Sequence, residues 1–141
     1  MNKKIIITTV LLSACGWLIW QFLTPVEIVA AYRENRCSKM YDCHSDILLV
    51  RNFPYLKNRQ VAWWETNKDM IKAKYGIPSL HVDGYYSVNI MGFGDGYRID
   101  HGTDEDSDLL CFYEMNAEAR CVEKNNLLWV GWSKNKGQSY R

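Results

Sequence analysis

Residues 46–78 read DILLVRNFPYLKNRQVAWWETNKDMIKAKYGIP, and the change of period inside them decides the fold class. Asp46-Ile47-Leu48-Leu49-Val50-Arg51 is a short apolar run that ends before Pro54, the form of a β-strand. From Lys57 the spacing lengthens. Val61, Trp64, Lys68, Ile71 and Tyr75 fall at alternating steps of three and four, along one face of a helix. Lys68 fits that face because its methylenes cover apolar surface while the ammonium reaches water. Lys72 and Lys74 suit the negative end of the helix dipole, Gly76 can adopt a left-handed stop, and Pro78 cannot continue the helix. The spacing predicts one substantial helix over residues 58–75, preceded by a strand.

Upstream, residues 26–33 (Val-Glu-Ile-Val-Ala-Ala-Tyr-Arg) read as another strand, expected to pair with residues 46–51 as an antiparallel hairpin. Downstream, Tyr85 to Phe93 alternates and is aromatic-rich. Leu109 to Glu114 and Arg120 to Glu123 flank a turn at Met115 to Ala119, and Leu127 to Ser133 is a further strand. Gly92 to Asp108 is polar, acidic and turn-rich, and no internal repeat is evident. The expectation is an α+β protein: an N-terminal transmembrane helix, then a small antiparallel sheet packed with one main helix.

At 141 residues there is room for one ordinary domain. Seventeen basic residues against 16 acidic ones lack the excess of a dedicated nucleic-acid binder. Ile5 to Leu23 is an uncharged run of 19 residues, which as a helix reaches about 28 Å, the thickness of a bilayer's hydrocarbon core. Trp17, Trp20 and Phe22 lie towards its far end, where amphipathic rings favour the interface, and Lys3 and Lys4 lie on the near side. The positive-inside rule keeps that near side in the cytoplasm. Residues 1–25 are therefore expected to be a cytoplasmic stub and signal anchor in the inner membrane, and residues 26–141 a periplasmic α+β domain. A second reading starts from Leu12-Ser13-Ala14-Cys15, which has the form of a lipobox and would make Cys15 a lipidated terminus. Against it, Gly16 to Leu23 prolongs the apolar run where a cleaved signal would turn polar.

Setting aside Lys3 and Lys4 from the 17 basic residues leaves 15 against 16 acidic ones, a nearly neutral domain. Its cysteines, Cys37, Cys43, Cys111 and Cys121, form an even set in a compartment that permits disulfides. Four cysteines allow three connectivities. Spacing suggests Cys37 with Cys43 and Cys111 with Cys121, the second pair straddling a hairpin. A zinc site of Cys37, Cys43 and His44 has poor ligand spacing and would lose its thiolates on oxidation. No cofactor is indicated.

Motifs for chemistry are weak. Gly92-Phe93-Gly94-Asp95-Gly96 lacks the spacing and following helix of a phosphate loop and reads as a tight turn. Asp104, Asp106 and Asp108 alternate like a calcium loop, but the closing glutamate would fall on Met115, so a solvated acidic loop is the better reading. Ser133 and Lys136 match a Ser-x-x-Lys pattern without its partner motifs, and His44, His81 and His101 are scattered through apparent loops. Trp63 and Trp64 point about 100° apart on a helix, so both cannot centre one buried stripe. With Trp64 in the core, Trp63 reads as the edge of that core, with a contact to another protein or to the membrane interface as the alternatives; Trp63 and Tyr97 are the candidate protein contacts.

The apolar N-terminus resembles, together with Pro25-Val26-Glu27-Ile28-Val29, Asn52-Phe53-Pro54, Trp63-Trp64 with Asn67-Lys68, Lys74-Tyr75-Gly76-Ile77-Pro78, Phe93-Gly94-Asp95-Gly96-Tyr97 and Cys121-Val122-Glu123-Lys124-Asn125, the enterobacterial membrane proteins grouped as domain of unknown function 943. The likeness covers nearly the whole chain, with a longer first connection at Cys37 to Cys43. It implies a membrane protein and carries over no catalytic residues. Two function classes follow from the sequence. One is a non-enzymatic, membrane-tethered module that binds an envelope protein, for instance a toxin-neutralising inhibitor. The other is a periplasmic hydrolase whose acids, such as Asp95 with one of Asp104 to Asp108, meet only in the fold. The topology predicts that alkaline phosphatase fused behind Arg141 is active while a fluorescent protein there stays dark; the reverse pair of signals would refute it.

Overall fold

The computed structural model describes residues 2–34, 45–80, 84–106, 108–112 and 115–141. Helix α1 (Lys3–Leu23) is capped by Asn2, whose side chain accepts the Lys4 N–H. The hydroxyls of Thr8, Thr9 and Thr24 donate to carbonyls one turn earlier, so these groups need no water. The stretch from Lys3 to Trp20 is long and apolar enough to cross a membrane, and none of it is buried against the rest of the structure. Thr24, Pro25 and Val26 alone separate α1 from strand β1 (Glu27–Glu34).

Strand β1 pairs antiparallel with β2 (Ser45–Arg51), as the sequence leads one to expect. Their connection, with Cys37, Cys43 and His44, lies outside the described residues. Helix α2 (Lys57–Tyr75) follows. Its stop is the one its residues dictate: Gly76 is left-handed at φ 73°, its N–H donates to Lys72 O at 3.0 Å, and the Lys72 ammonium reaches Pro78 O at 2.8 Å. Trp64 and Ile71 are fully buried, while Val61 and Tyr75 pack at the edge of the same core.

Strand β3 (Tyr85–Gly92) then runs parallel to β2, with Leu48 opposite Ile90. This corrects the expectation of a purely antiparallel sheet. Helix α2 carries the chain back along the sheet, so the next strand leaves in the direction of β2. Strands β4 (Arg98–Ile99), β5 (Leu109–Cys111) and β6 (Ala119–Glu123) form a separate antiparallel sheet in the order β4-β6-β5. Strands β7 (Asn126–Ser133) and β8 (Gly137–Tyr140) complete the main sheet, whose order is β1-β2-β3-β7-β8. Strand β5 is shorter than the predicted Leu109–Glu114, and residues 113 and 114 lie outside the described ones. The sequence reading did not anticipate β8. There Ser133 and Lys136 belong to a hairpin turn, with the Lys136 N–H donating to Ser133 Oγ at 3.2 Å and Gly137 at φ 70°.

Three layers result. Leu48, Val50, Val88, Ile90, Leu128 and Val130 meet Trp64 and Ile71 of α2 on one face of the main sheet. On the other face, Ile47, Leu49 and Met91 meet Leu110 and Val122 of the small sheet. In β7 the Trp129 indole lies across Gly131, where a Cβ would fall 2.0 Å from Cη2, so the ring fills the place of a side chain. We expect Trp64→Ala to cost about 3–5 kcal/mol and the exposed Met70→Ala less than about 0.5 kcal/mol, read from urea unfolding of the full chain in detergent. Equal costs would mean that α2 does not pack by the face assigned.

Candidate functional site

A groove of about 480 Å³ opens where α1 meets the start of α2. Trp17 and Leu18 line it from α1, Tyr55 and Leu56 from the turn before α2, and Ala62 and Trp63 from the helix itself. The turn is fixed from below, because the buried Gln60 donates through Nε2 to Pro54 O at 2.8 Å. Trp63 is half-buried and meets Phe53 edge-to-face at 5.4 Å between centroids. Adjacent helical positions thus divide the two tryptophans: Trp64 fills the core, and Trp63 borders it and faces the groove. The opening is mostly apolar with a few polar groups, Asn52, Thr66 and Asn67 among them. Such a surface suits binding by shape and burial.

Tyr97 is elsewhere. Its hydroxyl bonds that of Tyr32 at 2.7 Å, and its ring meets Phe93 edge-to-face at 5.0 Å. It packs against the core under the small sheet, whereas Trp63 packs against the core under α2, so the structure does not bring the two candidate contacts together.

Two of the acids anticipated for catalysis, Asp95 and Asp106, are engaged locally. Asp95 lies 4.0 Å from Arg98, which also pairs with Glu123 at 2.7 Å. Asp106 accepts the His101 N–H at 2.8 Å inside the short 3-10 turn Asp104–Asp106. Gly92 to Gly96 is the expected tight turn, closed by Gly96 N–H to Phe93 O at 3.2 Å. Among the described residues no group of three or more His, Cys, Asp or Glu is placed to hold a metal ion. Cys111 and Cys121 stand opposite each other across β5 and β6 and are joined by a disulfide. Cys15 is a free, exposed thiol within α1, which continues through it to Leu23. The predicted pair of Cys37 and Cys43, the zinc alternative with His44, and His81 lie outside the described residues.

Sequence reasoning missed three groups. Asp46 is buried at the start of β2, where its Oδ2 accepts the Ser79 N–H at 2.7 Å and ties the strand to the segment after α2. Glu65 accepts from Lys68 Nζ at 2.9 Å and from the Tyr140 hydroxyl, linking α2 to β8. Those hydrogen bonds, from Lys68 first, hold the Glu65 carboxyl below its ordinary value of 4.5. Burial first, and the Glu65 carboxylate second, push the Tyr140 hydroxyl well up, so at neutral pH it is a donor. Tyr55 and Leu56 fall between the predicted strand and the predicted helix and belong to no motif. The separation of 75 positions from Glu65 to Tyr140 explains why the tie left no local pattern.

A carboxyl with a lower pKa in the folded state stabilises the fold wherever the unfolded carboxyl is ionised, and the gain disappears as acid protonates the folded one. Wild type should therefore be slightly more stable than Glu65→Gln above pH 4.5, with the gap closing as pH falls further. Unfolding midpoints of both proteins across this range check it; a gap that widens on acidification would contradict the assigned bonds.

Comparison with curated proteins and with solved structures returned no match to this chain. The family comparison agrees with the apolar helix at the amino terminus and with the resemblance in the motifs. Its model spans residues 1–141, and the chain belongs to the enterobacterial putative membrane protein family, domain of unknown function 943.

Proposed function

We propose that this chain is a non-enzymatic, single-pass inner-membrane protein whose periplasmic domain binds another envelope protein at the groove beside its own anchor. The observation that carries the reading is the groove itself, because its walls come jointly from α1 and α2. A partner can fill it only at the membrane surface. Trp63, already held against Phe53, offers a large, rigid aromatic surface at little further cost in side-chain freedom. Lys3 and Lys4 before the span support a cytoplasmic amino terminus, and the disulfide between Cys111 and Cys121 supports an oxidising compartment for the domain.

A photo-crosslinking amino acid at Ala62, which is exposed on the groove wall, should give a discrete protein adduct in native membranes. Adding Trp63→Ala should lower adduct yield by about tenfold, the effect of losing a central aromatic contact. The unfolding midpoint serves as the control for folding. A folded Trp63→Ala variant with undiminished adduct, or no adduct in either background, would sink the proposal.

A further inference from the structure

We infer that Tyr55 and Leu56 form a tip that rests in the bilayer interface beside the anchor, with membrane lipid as its partner. The first argument is depth. The apolar run Ile5 to Leu23 is just long enough to span, so its far end rises no higher than the bilayer interface. Trp17 lies six residues before Leu23, about 9 Å along the helix, yet Trp17 and Leu18 share one groove with Tyr55 and Leu56. The domain therefore reaches down the side of α1 past the end of the span, to the depth at which apolar faces of interfacial helices lie. The linkage Thr24-Pro25-Val26 is too short to lift it away.

The second argument is chemical. Tyr55 is 86% exposed and Leu56 60% exposed, so the described structure leaves most of their surface uncovered. Leu56 also occupies the cap position of α2 and makes no side-chain bond there, where serine, threonine, aspartate or asparagine would stabilise the helix. An apolar side chain in that place is favourable if it faces lipid. The first turn of α2 holds no acid, and Lys57 is exposed next to the tip, at the level where an ammonium meets lipid phosphates. The lipid surface is continuous with the one α1 already occupies. This inference needs neither a protein partner nor a particular orientation of the span.

The test uses the full chain in vesicles of phosphatidylethanolamine and phosphatidylglycerol, with a fluorescent amino acid at position 55 or, for reference, at the exposed Ala117. A nitroxide near the top of the lipid acyl chain should quench position 55 at least about three times more strongly than position 117, and aqueous iodide should do the reverse. If position 55 responds to both quenchers as position 117 does, the inference is overturned. Leu56→Asn supplies the missing cap, so it keeps the fold, and should roughly halve the lipid quenching at position 55. Unchanged quenching would remove Leu56 from the tip. The vesicles contain no other protein, so this result is independent of whether Ala62 crosslinks to one.

Discussion

Ile47, Leu48, Leu49 and Val50 are consecutive, apolar and buried, and alternate side chains of a strand point to opposite faces. A sheet with one wet face would leave half of them in water. The domain covers both: α2 takes Leu48 and Val50, and the small sheet takes Ile47 and Leu49. The layering, the central place of β2 and the parallel step to β3 are consequences of this double burial. It also places the groove, because α2 must lie over β2 and its first turn is thereby brought alongside α1.

Much of this was legible in the residues. The three-and-four spacing from Val61 to Tyr75 located α2, and Lys72, Gly76 and Pro78 located its end, since helix termination is a local matter of dipole, left-handed backbone and missing N–H. The strands β1, β3, β6 and β7 were found to within one residue at most ends. What failed was pairing. A strand, a helix and a strand in succession are the usual source of a parallel step, yet the antiparallel hairpins on either side drew the whole sheet into one pattern. The unbroken apolar run of β2 was itself the sign of a doubly covered strand. Strand β8 was invisible because Gly137, Gln138, Ser139 and Tyr140 have no apolar alternation, and their place is fixed by the edge of β7.

The groove was only half legible. The angular argument separated Trp63 from Trp64, and the structure gives each the role that argument allows. Tyr55 and Leu56 carried no signal, because a connection is read by its punctuation and Pro54 had already supplied it. Their meaning depends on the helix beside them, more than thirty residues earlier in the chain. Tyr97, the other candidate contact, is half-buried and its hydroxyl bonds that of Tyr32, a contact across 65 positions that no window of sequence contains.

Strand β3 lies between β2 and β7, and the whole small sheet is threaded between β3 and β7 in the chain. During synthesis, a chain grown as far as Gly92 therefore holds a central strand with one flank bare, and it cannot close that flank until residues 126–133 have emerged. An open strand edge of this kind invites pairing with any extended polypeptide nearby. The nascent protein is thus at its stickiest midway through production, a vulnerability the finished molecule no longer shows.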